Sequence, residues 1–67
     1  MKTRLKELRR SRFLMQRQLA QKANVGVSTI VRLEKGMQDP TFQTIKRLAA
    51  ALDVKPLELV IQDNVPD

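Results

Sequence analysis

The stretch QRQLAQKANVGVSTIVRLEKG, residues 16–36, decides the fold of this chain. Apolar residues in its first part recur at three- and four-residue spacing, which predicts a short helix over about residues 16–23. The second part repeats this pattern and predicts a helix over about residues 27–35. Asn24 lies between them and favours a sharp turn, because Asn enters the left-handed backbone region more readily than most residues other than glycine.

Three positions indicate that the two predicted helices meet at a tight corner. Ala20 is small where two helix backbones must approach, Asn24 permits the turn, and Ile30 is a branched apolar anchor on the second helix. A helix-turn-helix, in which two helices cross at a wide angle over a short turn, needs these residue types at this spacing.

Three linked motifs run through the region: Gln16-x-x-Leu19-Ala20, then Asn24-Val25, then Ile30-x-x-Leu33-Glu34-x-Gly36-x-x-x-Pro40. Together they resemble the phage-repressor and Cro type (xenobiotic-response-element-like) of helix-turn-helix protein, over about residues 5–59. The family usually has a hydroxyl residue before the Gln, Gly in the corner, Ser at the next helix cap and often Gly in the preceding turn. This chain has instead Met15, Asn24, Gly26 and Phe13, in that order. The resemblance implies an all-α fold of five helices, with the helix-turn-helix at about residues 16–35.

The other helices follow from capping residues and periodicity. Thr3 is a fair cap for a first helix to about Arg12, and Pro56 is well placed to begin a fifth. Thr41 caps a fourth helix, whose apolar face is expected to lie in the core: Phe42, Ile45, Leu48, Ala49 and Leu52. We expect one domain over residues 1–62, and a disordered polar tail over residues 63–67.

Length and composition exclude several classes of protein. Sixty-seven residues allow one small domain. The absence of Cys and His excludes disulfides, zinc sites and most nucleophile–base catalysis, so we expect no metal, no cofactor and no enzymatic activity. No apolar run approaches the length of a membrane span, and no signal-peptide pattern follows the basic start, so we expect a cytoplasmic protein without a membrane partner.

The charge is distributed unevenly along the chain. Residues 1–35 hold ten Lys or Arg and two Glu, whereas residues 36–67 hold three Lys or Arg and five acidic residues. This asymmetry suggests a polyanionic partner, although solubility alone is the alternative explanation. Phe13 and Phe42 are the only aromatic residues, which argues against a stacking platform for RNA or single strands.

The outer face of the second helix of the motif is expected to enter the major groove of double-stranded DNA. Arg32 can donate two hydrogen bonds to a guanine, and the valines can contact thymine methyl groups. Two alternatives stay open: Val27 packs under the helix start, or Arg32 binds a phosphate. The expected base-contacting residues are Val27, Ser28, Thr29, Val31 and Arg32.

Phosphate contacts are expected where helix N-termini present free N–H groups. Gln16 begins such a helix, although it is alternatively only a polar first-turn residue. The family resemblance implies that the loop after Gly36 and the start of the fourth helix also contact phosphates. The expected phosphate-contacting residues are Gln16, Arg17, Gly26, Lys35, Gln38 and Thr41.

The resemblance also implies an ion pair between Arg9 and Glu34 that ties the first helix to the end of the third; a plain surface Arg is the alternative. Beyond Pro56, one short helix cannot bury all the apolar residues that follow. We therefore expect a homodimer, which the family often forms near here, through Leu57, Val60 and Ile61. The alternative is that Leu59 and Val60 complete the core while the rest frays.

Together these features predict a sequence-specific transcriptional regulator that binds a two-fold DNA operator as a dimer, more often a repressor. One competing function is an antitoxin or adaptor that acts mainly by binding a toxin or another protein. A second is a non-specific nucleic-acid or RNA binder.

Overall fold

The computed structural model describes residues 2–61, and of Ile61 only the backbone. The helices of this range are α1 (Leu5–Ser11), α2 (Gln16–Ala23), α3 (Val27–Glu34), α4 (Phe42–Leu52) and α5 (Pro56–Leu59). The all-α, five-helix prediction is confirmed. No helix in the described range has the length and apolar character needed to cross a membrane. The predicted tail, residues 63–67, lies outside the described residues.

The core forms where the apolar faces of all five helices meet. Leu19 of α2 and Ile30 of α3 are fully buried there, beside leucines from the other three helices. Burial of each such side chain contributes about 1.5–3 kcal/mol. The largest fully buried side chains are Leu5, Leu19, Ile30, Leu48, Leu52 and Leu59.

The corner between α2 and α3 forms as its sequence predicts. Asn24 adopts the left-handed conformation, with φ 59°, and Val25 packs against the core. Ala20 is buried where α2 approaches its neighbours, and Gly26 precedes α3 in an extended conformation. The corner therefore buries one side of α3 and leaves its other side on the surface.

The four longer helices end in the same way. In each, a residue with positive φ follows the helix, and the next N–H donates to a carbonyl five residues back, as in a Schellman motif. These bonds are Leu14 to Arg9, Val25 to Ala20, Met37 to Arg32 and Val54 to Ala49, at 2.9–3.2 Å. The positive-φ residues are Phe13 (57°), Asn24 (59°), Gly36 (73°) and Asp53 (58°). Only one of the four is glycine.

A short antiparallel ribbon joins the two ends of the described chain. Strand β1 (Lys2–Thr3) pairs with β2 (Val60–Ile61), and the Arg4 N–H donates to the Leu59 carbonyl at 2.8 Å. The predicted start of the first helix at Thr3 was wrong, because Thr3 is held in this ribbon. Val60 and Ile61 likewise leave helical geometry to pair with β1.

Two arginines bind backbone carbonyls at helix ends. Arg12 Nε donates to the Leu52 carbonyl at 2.9 Å, at the end of α4. Arg47 Nη1 donates to the Asn24 carbonyl at 3.4 Å, beside the corner. Cations at helix C-termini also interact favourably with the helix dipole.

Candidate nucleic-acid interface

The outer face of α3 is accessible to solvent over most of its length. Ile30 and Leu33 are buried, so the helix presents Val27, Ser28 and Arg32 to solvent. The remaining predicted base-contacting residues, Thr29 and Val31, are half-buried. The structure therefore brings all five onto or beside one surface.

The first turn of α3 has no side-chain cap. Gly26 stands at the cap position with φ −70° and ψ 144°, and no side chain accepts a hydrogen bond from the first turn. A Cβ at position 26 would meet only ordinary contacts, the nearest being Thr29 Oγ1 at 3.7 Å. Glycine is thus not sterically required there, and its lack of a side chain leaves the helix N-terminus open.

The start of α2 is also open, although its first side chain is engaged within the protein. Met15 precedes the helix without a side-chain cap, and its N–H donates to Gln18 Oε1 at 2.8 Å. Gln16 Nε2 donates to Glu34 Oε1 at 3.0 Å, which uses one of the two amide hydrogens. Arg17 is exposed at the same end.

Glu34 joins three parts of the chain. Arg9 Nε donates to Glu34 Oε2 at 2.6 Å, and Arg9 Nη2 donates to Oε1 at 3.1 Å. Arg9 Nη1 donates to the Leu14 carbonyl at 2.7 Å. With the bond from Gln16, this network ties α1, the following turn and the start of α2 to the end of α3.

The segment after α3 folds back towards that helix. Lys35 and Gln38 are exposed, and Gln38 Oε1 accepts a hydrogen bond from Arg32 Nε at 2.7 Å. The Thr41 hydroxyl accepts from the Thr44 N–H at 3.1 Å and donates to Thr44 Oγ1 at 2.8 Å, so it serves as the cap of α4. The contact between Arg32 and Gln38 could not be predicted from the sequence.

Comparison with known proteins identifies the family. The family described as "Helix-turn-helix" matches residues 5–59, most of the chain. The chain belongs to this helix-turn-helix family. The resemblance in the sequence to the phage-repressor and Cro type is thereby confirmed.

Curated relatives of this helix-turn-helix protein include a phage repressor. The immunity repressor protein of Bacillus phage phi105 is 32% identical over 62 residues, covering 92% of this chain but 43% of the repressor. An uncharacterized HTH-type transcriptional regulator of Archaeoglobus fulgidus is 34% identical over 64 residues, covering 96% of this chain and 91% of the regulator. The chain thus spans less than half of the phage protein and nearly all of the archaeal one.

A solved structure has the same fold. The restriction-modification controller protein C.AhdI from Aeromonas hydrophila superposes with a TM-score of 0.82 at 37% sequence identity. The match covers 85% of this chain and 86% of C.AhdI. The overall arrangement of the helices is therefore shared with this controller.

An apolar groove lies on the surface of the helix-turn-helix domain, between α4 and α5. Its residues follow α3 in the chain. It is lined by Phe42, Ile45, Pro56, Leu57 and Val60. Leu57 is 68% exposed and Val60 is half-buried in β2; the structure does not describe the side chain of Ile61.

The prediction that Phe42 lies in the core was wrong. The residue is 76% exposed, because it begins α4 one turn before the first buried residue, Ile45. The Lys46 ammonium lies 5.8 Å from the centre of its ring.

Proposed function

We propose that this helix-turn-helix protein regulates transcription by binding specific sites in double-stranded DNA through the outer face of α3. The family match and the relatives support a DNA-binding transcriptional regulator. They do not favour the alternative of an antitoxin or adaptor acting mainly through protein binding. Repression by occlusion of a promoter is the simplest mode of action, and DNA in the cytoplasm is the proposed partner.

The observation that carries this proposal is the orientation of α3. Its apolar side is sealed in the core at Ile30 and Leu33, so Ser28 and Arg32 point away from the domain. A helix held in this way fits the major groove, where hydroxyl and guanidinium groups meet base edges. Val27 and Val31 supply apolar contact for thymine methyl groups, and Thr29 completes the set.

Phosphate binding is proposed to come from the two open helix starts and from the cations beside them. Free N–H groups at Gln16, Arg17 and Gly26 suit anionic oxygens, because helix N-termini carry partial positive charge. Lys35 and Thr41, which follow α3 in the chain, are proposed to contact phosphates as well. These contacts would fix the position of α3 without reading sequence.

The protein is proposed to act as a homodimer through the α4–α5 groove. Leu57, Val60 and Ile61 are the interface residues expected from the sequence. Leu57 and Val60 line this groove, and exposed Phe42 extends the same apolar surface. Two-fold symmetry would place two α3 helices about 34 Å apart, one turn of DNA. The operator would then contain two related half-sites.

The proposal is tested by measuring the affinity of the protein for labelled duplexes at increasing salt concentration. Binding through phosphates gives a log affinity that falls linearly with log salt, and an unlabelled single strand of the same sequence should compete poorly. Binding that is insensitive to salt, or equal for single strands and duplex, would contradict duplex recognition by α3.

A further inference from the structure

Arg32 is held by the loop that follows its own helix. Its Nε donates to Gln38 Oε1 at 2.7 Å, a short distance typical of a hydrogen bond from a charged donor. Both side chains are exposed, so this contact makes no contribution to the buried core.

The backbone places Gln38 where it can reach Arg32. Gly36 adopts φ 73° after α3, and the Met37 N–H then donates to the Arg32 carbonyl at 2.9 Å. Arg32 is therefore bound twice by adjacent loop residues, through its carbonyl by Met37 and through its side chain by Gln38. The turn that ends α3 thus brings Gln38 to the Arg32 side chain.

The contact leaves the recognition edge of the guanidinium free. Arginine has one N–H at Nε and four on its terminal nitrogens, and a guanine O6/N7 pair accepts two of the terminal hydrogens. Gln38 occupies Nε and is neutral. Since the partner at Nε is neutral, this hydrogen bond does not neutralise the positive charge of the Arg32 guanidinium.

We propose that Gln38 is a positioning residue for Arg32, which sharpens base discrimination by holding the guanidinium in its reading orientation before DNA binds. This inference rests on the proposed function of α3, and it assigns to Gln38 a role other than the phosphate contact expected from sequence. A free arginine loses rotamer freedom on binding, at a cost equivalent to about twofold to tenfold in affinity per ordered side chain. Because Gln38 already holds the guanidinium in one orientation, this cost is reduced only for a base that the guanidinium reaches in that orientation.

The test begins with the preferred duplex of the wild-type protein, selected from a random library. Affinity for this duplex, and for duplexes changed at single base pairs, is then measured for Arg32→Ala, Gln38→Met and the double variant. Met keeps the length of Gln but lacks its oxygen, and its sulfur is only a weak acceptor. Gln21→Met, at an exposed position on α2, is the matched control.

Arg32→Ala should abolish preference at one base pair per half-site, roughly tenfold or more. Gln38→Met should reduce preference at that same base pair by about twofold to tenfold, with an unchanged salt slope. In the double variant the loss should equal that of Arg32→Ala alone, and Gln21→Met should change nothing.

Other results would overturn the inference. A Gln38→Met protein that keeps full preference, or that loses affinity equally for all duplexes with a shallower salt slope, would show that Gln38 does not position Arg32. An Arg32→Ala protein that keeps the base-pair preference of the wild type would also overturn the inference. A wild-type protein that selects no duplex would refute the proposed function itself.

Discussion

Arg9 of α1 and Glu34 of α3 form a nearly buried ion pair, with Nε and Oε2 2.6 Å apart and the two side chains 11% and 4% exposed. The same carboxylate accepts a hydrogen bond from Gln16, at the start of α2. The pair therefore joins both helices of the helix-turn-helix motif to α1.

Removing the charge of Glu34 should destabilise the fold strongly. Glu34→Gln leaves the Arg9 guanidinium largely buried without a counter-ion, and breaking a buried pair in this way costs about 3 kcal/mol or more. Urea denaturation followed by circular dichroism would measure the free energy of unfolding.

The exposed Arg4–Glu7 pair supplies the control for that experiment. The hydrogen bond from Arg4 and its charge lower the pKa of Glu7, but both side chains are well exposed. Glu7→Gln should leave stability near neutral pH almost unchanged, because exposed pairs contribute little. If the two variants lose equal amounts of unfolding free energy, burial does not explain the contribution of Glu34 to stability.

Replacing Phe13 with glycine should stabilise the protein. Phe13 adopts φ 57° while its side chain is 94% exposed, so glycine would relieve backbone strain with little loss of packing. The expected gain in the free energy of unfolding is about 1 kcal/mol. Asn24→Gly should gain less, because Asn tolerates this conformation better. A lower melting temperature for Phe13→Gly would reveal a contribution of the aromatic ring.

Arg12→Ala should destabilise the domain although the Arg12 side chain is exposed. The guanidinium donates to the Leu52 carbonyl at the end of α4, and hydrogen bonds from charged groups contribute about 1.5–3 kcal/mol. Because the Arg12 side chain is accessible to solvent, we expect the free energy of unfolding to fall by only about 1 kcal/mol. Arg10→Ala, at an exposed position in the last turn of α1, is the control. Identical thermal melts for the two variants would refute the role of Arg12.

Leu57→Glu should disrupt the proposed homodimer while leaving each subunit folded. A carboxylate in an apolar interface loses its hydration without gaining a partner. Sedimentation velocity should show a shift from dimer to monomer at micromolar concentration. Met37→Glu is the control, since Met37 is also 68% exposed but lies in the loop after α3. An unchanged sedimentation coefficient for Leu57→Glu would exclude this groove as the interface.

The sequence predicts those parts of the fold that depend on local patterns. The periodic leucines and alanines of α2 and α4, the left-handed turn at Asn24 and the stop at Gly36 each follow from residues close in the chain. The accessible face of α3 follows from the same pattern, because burial of Ile30 and Leu33 determines which residues remain outside.

Features that depend on distant partners are not predictable in this way. The β1–β2 ribbon consists of two-residue strands that form only because Thr3 meets Val60. Phe13 in a left-handed turn contradicts local preference. It is tolerated because its neighbours, including Leu14, which packs against the core, determine the path of the chain. The bond between Arg32 and Gln38 depends on how the loop after Gly36 folds back.

The most direct test of the central claim is selection of preferred sites from a random duplex library, followed by sequencing. An outward α3 on a two-fold dimer predicts enrichment of two inverted half-sites with centres about one DNA turn apart. Ser28→Ala and Arg32→Ala should each alter the enriched bases within those half-sites. Failure to enrich any duplex sequence, or an enriched site that is unaffected by both substitutions, would contradict recognition through α3.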